Sequence, residues 1–242
     1  MKVPQIPKIC MCIRHFRQCL VAQLQPYVRS AAAQVQKYAF MNSFEPHSLK
    51  AEIAAAAAAM VVEEGLEYGP AKRRAIKQMA LPSRTELPGN DEIEDAVHEY
   101  IALFCADTQP AELQALRELA LVWMRRMAEF RPFLGGAVWH GTATRLSDIY
   151  IQLFCDDSKS AEIALIEHKV DYEPRTVTGF WGDSVEALSI RSVCKPLQET
   201  VGVHLMVYDH DDLRGALRPD AKGRTPRGDL SAVERLVALG TT

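Results

Sequence analysis

No apolar run in this 242-residue chain is long enough to cross a bilayer. The longest, from Ile53 to Val62, has ten residues and is mostly alanine, against the roughly 20 that a spanning helix needs. Excess charge of one sign is also lacking. The net charge is −3, which argues against general nucleic-acid binding, because neutralising phosphates takes a concentrated basic face. Acid is missing altogether from residues 1–40, which carry six bases (Lys2, Lys8, Arg14, Arg17, Arg29 and Lys37) and leave 22 bases against 31 acids, a net −9, for the rest. Cysteine is sparse and without paired spacing. Cys10, Cys12 and Cys19 do not match a zinc pattern, and Cys105, Cys155 and Cys194 are scattered through apolar stretches, as expected of buried thiols in a reducing cytoplasm. There is no G-x-S-x-G elbow, H-E-x-x-H pair or Rossmann fingerprint.

The acid-free leader admits a targeting role, but it is too charged for a secretory signal. Met41 opens "MNSFEPHSLKAEIAAAAAAMVVEEG", where the first acids appear and Ser48 is placed to cap an alanine-rich helix. The favoured expectation is therefore a start at Met41, with residues 1–40 disordered or loosely helical and dispensable for folding. Residues 41–131 read as helices. One runs over 48–64, a second opens at Pro70 with the basic cluster Lys72, Arg73, Arg74 and Lys77 as a solvated face, and a third starts from an Asn90 cap. A fourth opens at Pro110, with Leu113, Leu116, Ala120, Trp123, Met127 and Phe130 as one apolar stripe. The texture changes after Pro132. "DIYIQLF", "DYEPRTV", "VEALSIRSV" and "VGVHLMVYD" read as strands, "SKSAEIALIEHKV" as a helix capped by Ser158, and "DDLRGAL" and "DLSAVERLVAL" as helices. The fold class expected is α+β, with a small mixed sheet and flanking helices over residues 132–242 behind a helical N-terminal portion. The basic stretch "RPDAKGRTPRGD", 218–229, reads as a solvated linker.

One run, "FLGGAVWHGTATRLSDIYIQLF" (133–154), joins a glycine-rich turn, a Ser-Asp pair and an alternating strand. Gly135, Gly136 and Gly141 suit a backbone that approaches phosphate closely. The order and spacing resemble the polymerase-beta-like nucleotidyltransferase superfamily, whose signature is Gly-Ser, a short helix with a second glycine, then Ser-Asp-hydrophobic-Asp on a strand. Gly136-Ala137 matches the Gly-Ser pair, Gly141 the second glycine and Ser147-Asp148-Ile149-Tyr150 the acidic element, and the resemblance covers roughly residues 110–215.

The resemblance implies a nucleotide site made of Gly135, Gly136, Ala137, Gly141, Thr142, Arg145 and Ser147. It implies a catalytic face of Asp148, Tyr150 and His204, and Mg²⁺ (or Mn²⁺) held by Asp148. The implied partners are a nucleoside triphosphate and a hydroxyl acceptor that the sequence does not identify. Alternation buries Ile149, Ile151 and Leu153 and turns Asp148, Tyr150 and Gln152 to the other face. Three positions depart from the pattern: Tyr150 stands for the second acid, Ala137 for the serine, and His204 for a third acid on a later strand. Asp156, Asp157, Glu173, Asp209, Asp211 and Asp212 are the substitutes available to a metal, each otherwise a cap or loop acid, Asp211 in particular an N-cap. An Asp148–His204 pair also suits a transition metal. A further resemblance, to chains named UDP-N-acetylmuramate–alanine ligase, implies an ATP loop, and no Gly-Lys pair occurs. Two functions are compatible with these residues: a nucleotidyltransferase, or a catalytically degenerate relative that acts as a regulatory or scaffold binding protein. The oligomeric state is not encoded legibly.

Overall fold

The structure, a computed structural model, describes residues 48–180, 182–219 and 223–240. The expectations for residues 1–40 and for a start at Met41 lie outside the described residues. Every described helix and strand belongs to one unit, Leu49–Thr242. This unit is α+β, with eight α-helices and one six-stranded mixed sheet among the described residues. No described helix is long and apolar enough to cross a membrane.

Helices α1 (Leu49–Glu64), α2 (Tyr68–Gln78) and α3 (Asn90–Phe104) enclose a core of their own, built from Ile53, Ala57, Ala58, Met60, Ile76, Ile93 and Val97. Pro70 lies in the first turn of α2, where its missing N–H leaves no intrahelical bond unmade. The cap of α3 differs from the expectation. Gly89 is the N-cap and its N–H donates to Glu92 Oε2 at 2.6 Å, whereas Asn90 Oδ1 accepts from Lys72 Nζ at 2.7 Å. That bond explains why Lys72 is buried while Arg73, Arg74 and Lys77 remain the solvated face.

Helix α4 (Gln109–Arg126) and a 3₁₀ turn, Ala128–Phe130, lead into the sheet. The remaining elements are β1 (Phe133–Gly135), α5 (Gly136–His140), β2 (Ile149–Cys155), α6 (Ser158–Glu167), β3 (Glu173–Thr178), β4 (Ser184–Cys194), β5 (Glu199–Asp209), α7 (Leu213–Ala216), β6 (Arg227–Asp229) and α8 (Leu230–Gly240). The strand order is β3-β4-β5-β2-β1-β6, with β2 and β5 parallel and every other pair antiparallel. The caps of two later helices also shift. Asp157, not Ser158, caps α6 by accepting from Lys159 N at 3.0 Å, and Asp209, not Asp211, caps the 3₁₀ turn His210–Asp212 that precedes α7. In both places an acid already lies outside the first turn, and a carboxylate there outcompetes the next residue for the free N–H.

One face of the sheet carries the main core. Ile149, Ile151, Leu153, Leu188, Ile190, Val203 and Leu205 pack there with Leu116, Ala120, Trp123, Met127 and Phe130, together with residues of α6 and α8. The other face is divided along its length. Phe154, Val185, Tyr208 and Ala216 form a small apolar cluster at one end, where Tyr208 and Gln152 are both covered. The opposite end is polar. Among the described cysteines Cys194 is buried, while Cys105 and Cys155 are partly exposed.

The linker expectation is corrected at its C-terminal half. Arg224 reaches Glu94 at 3.6 Å and Asp95 at 3.8 Å, Trp139 Nε1 donates to Thr225 O at 2.8 Å, and Arg227–Asp229 adds an edge strand that pairing with β1 secures. Trp123 fixes α4 to the sheet more firmly than its area alone would. It is 5% exposed and its Nε1 donates to Ser192 Oγ at 3.0 Å, while Arg126 lies over its ring. Trp123→Ala is expected to cost about 3–5 kcal/mol, measured by denaturant unfolding, because it opens a cavity and leaves Ser192 without its donor.

Candidate functional site

The polar end of the sheet is assembled by cross-strand register. Ser189 on β4 is opposite His204 on β5, His204 is opposite Tyr150 on β2, and Tyr150 is opposite Gly135 on β1. Directly paired residues project from the same face, so these four come together from four strands. The Tyr150 and His204 rings stack, with centroids 4.9 Å apart and planes at 28°. Gly136 follows Gly135 with φ of +65°, a left-handed conformation that costs glycine little, and a side chain there would meet the Tyr150 ring.

Asp148 precedes β2 and its carboxylate turns along the sheet. It accepts from Gly202 N–H at 3.0 Å and lies 3.2 Å from His204 Nε2, with its side chain about half exposed. Gly202 makes this approach possible: a Cβ there would lie 2.6 Å from Asp148 Oδ1. The bond to His204 holds the Asp148 carboxyl below its ordinary pKa, with smaller contributions from the His204 charge, the Gly202 N–H and Arg191, while burial opposes them. On the other nitrogen, His204 Nδ1 is 3.0 Å from Ser189 Oγ. Tyr150 donates its hydroxyl to Glu67 Oε1 at 3.0 Å, from the residue that caps α2. Burial, then the Glu67 charge and hydrogen bond, push this phenol far above its usual range.

The other residues singled out in the sequence do not join this cluster. Gly141, at φ +88°, ends α5 on the side of α4, where Gln109 Nε2 donates to the carbonyls of Gly141 and Ala143 at 3.0 and 2.8 Å. Ala137 O receives the N–H groups of Gly141, Thr142 and Ala143, and Thr142 is buried. Ser147 Oγ accepts from Thr144 N within its own turn, and Arg145 pairs with Glu199. The convergent set is thus Gly135, Gly136, Asp148, Tyr150 and His204, joined by Glu67, Ser189, Gly202 and Arg191. Sequence reading missed Glu67, for which no local signal exists. Ser189 and Arg191 were placed on a strand, but register alone brings them to His204 and Asp148.

The residues present do not fit the divalent metal centre that the resemblance implies. Asp148 is the single acid on its strand face, its carboxylate is engaged by Gly202 and His204, and no group of three His, Cys, Asp or Glu side chains that could hold a metal occurs among the described residues. The substitute acids are out of reach. Asp156, Asp157, Asp209, Asp211 and Asp212 lie at the far ends of β2 and β5, more than about 20 Å away at about 3.3 Å per residue. Glu173, opposite Ser189 on β3, is three strands from β2, about 14 Å, and pairs with Arg175.

Comparison of the chain with family models, with curated proteins and with solved structures finds no match. The reading of the site therefore rests on its own chemistry. Because the Asp148 pKa is lowered on folding, its stabilising effect is complete above the unfolded carboxyl pKa of about 3.9 and is lost as pH falls through the folded value. The Tm difference between the wild-type protein and Asp148→Asn is accordingly expected to be present at pH 7 and to shrink below about pH 4. A difference that does not vary with pH would mean that Asp148 contributes packing rather than charge. Gly202→Ala is expected to reproduce the pH 7 loss, since its Cβ displaces the same carboxylate.

Proposed function

We propose that the chain is a nucleotidyltransferase-like protein that binds a nucleotide at the polar end of the sheet, beside the Gly136 turn, and that acts as a binding protein rather than by two-metal transfer. The observation that carries this reading is the Tyr150–His204 stack. Transfer by the route the resemblance implies depends on positioning and on neutralising phosphate charge with metal-bound carboxylates. On this face the Tyr150–His204 ring pair takes the positions at which the resemblance implies two of those acids, and Asp148 alone does not replace them. What supports nucleotide binding is the approach of the exposed, left-handed Gly136 to Tyr150, which leaves backbone open to an oxygen ligand beside an aromatic surface.

The test is thermal unfolding of the full chain with ATP, GTP, CTP or UTP, each in EDTA, Mg²⁺, Mn²⁺ or Zn²⁺. A ligand that binds only the folded state stabilises it by about 2.7 kcal/mol at a hundred times its Kd. The expected result is a shift for at least one nucleotide that is as large in EDTA as with metal. A shift that requires Mg²⁺ or Mn²⁺ would restore the metal-dependent transferase, and no shift with any nucleotide would favour a scaffold that binds another partner. Tyr150→Asp is expected to add a metal-dependent component, because it returns a second carboxylate to the Asp148 face while removing the stack on His204.

A further inference from the structure

Three side chains at the polar end of the sheet form a continuous line of donors and acceptors that involves no metal. Asp148 accepts from Gly202 N–H, and it faces His204 Nε2 as an acceptor at 3.2 Å. The ring proton therefore belongs on Nε2, and in the neutral ring Nδ1 carries a lone pair. The group opposite that lone pair is the Ser189 hydroxyl, at 3.0 Å. A hydroxyl, an imidazole that can take its proton and a carboxylate that fixes the tautomer are the parts of an activated serine, recognised by roles rather than by sequence order or by which ring nitrogen plays which part.

The arrangement is held by backbone rather than by loops. Ser189 and His204 are directly paired in the β4–β5 ladder, and the His204 ring is braced from the other side by Tyr150. Ser189 is partly exposed on the open face. Arg191, two residues along β4 and paired with Gly202, projects from that face and is exposed, so a cation is at hand beside any negative charge that develops near Ser189.

We propose that Ser189 is a nucleophile activated by His204 as general base, with Asp148 as the positioning residue, and that it reacts with a phosphoester bearing a good leaving group. In that step Ser189 Oγ forms a bond to phosphorus, the bond from phosphorus to the leaving group breaks with its electron pair, and the serine proton passes to His204 Nδ1. The product is a phosphoserine ester and a released anion. This activity goes beyond nucleotide binding. It rests on that reading only for the choice of phosphorus as the electrophile, and the serine geometry stands without it.

A fluorophosphonate probe tests it on the full chain, read by intact mass and by mapping of the modified peptide. The expected result is one adduct per chain on Ser189 with release of fluoride, and no such adduct in Ser189→Ala. His204→Gln is expected to slow labelling about a hundredfold in a chain that still unfolds cooperatively, as loss of a general base does. Asp148→Asn and Gly202→Ala should also slow it, while Asp148→Glu, which keeps a carboxylate beside the ring, should retain more of the rate than Asp148→Asn. Labelling no greater than in Ser189→Ala, or confined to other residues, overturns the proposal and leaves the line as a hydrogen-bond ladder. Nucleotide stabilisation without a Ser189 adduct would sink this inference and spare the nucleotide reading; an adduct without any nucleotide shift would do the reverse.

Discussion

The parallel pairing of β2 with β5 is the constraint on which the rest of the molecule depends. It sets Ile149, Ile151 and Leu153 beside Val203, Leu205 and Val207 on the face that α4 and α6 cover, and by the same register sets Tyr150 beside His204 on the other. A slip of one residue would send every side chain to the wrong face, and seven consecutive register pairs, with the core row fully buried, fix the alignment. The site geometry is therefore a by-product of core packing. Tyr150 and His204 need no contact of their own to find each other, because the hydrophobic row beneath them has already placed their backbones.

A second consequence concerns the helical portion. Its core, centred on Ile53, Ile93 and Val97, is separate from the core under α4. Several polar contacts link it to the sheet portion: Glu67 with Tyr150, Glu94 with His140 at 2.5 Å, and Glu94 and Asp95 with Arg224. The helices supply acids and the sheet portion supplies a phenol, an imidazole and a guanidinium. Glu94 is buried, and removing its partners would leave a carboxylate in a low-dielectric setting, which is costly. The pKa of the Tyr150 phenol is high because it sits at this junction, desolvated and facing Glu67.

Periodicity made much of this legible. The stripe from Leu113 to Phe130 and the alternation around Ile151 are the strongest patterns in the chain, and their buried rows are the ones expected. Three things were not legible, each for a physical reason. Strands β1 and β6 have three residues each, too short to show alternation, and exist only because a neighbour supplies their hydrogen bonds. Helix caps were misplaced by one or two positions where two possible cap residues adjoin, as at Asp157-Ser158 and Gly89-Asn90. The partners of the site, Glu67 for Tyr150 and Ser189 for His204, are set by tertiary register across 83 and 15 residues, which no local pattern carries. Gly202 shows the same limit: it reads as an ordinary strand glycine until the carboxylate of Asp148 is found lying on it.

The residues on the polar face decide what that face requires in order to fold. A two-carboxylate metal face holds like charges a few ångströms apart in the apo protein, and the metal relieves their repulsion. Tyr150 stacked on His204 instead contributes about 0.5–1.5 kcal/mol of aromatic pairing, and the acid beside them, Asp148, is satisfied by Gly202 N–H and His204 Nε2. The face is thus stable without an ion. Tyr150 and His204 are also linked, since replacing either ring unstacks the other, and loss of His204 would leave Asp148 with one donor fewer and Ser189 with no acceptor. A face organised in this way presents a preorganised line of hydroxyl, imidazole and carboxylate, along which a proton can pass without help from an ion.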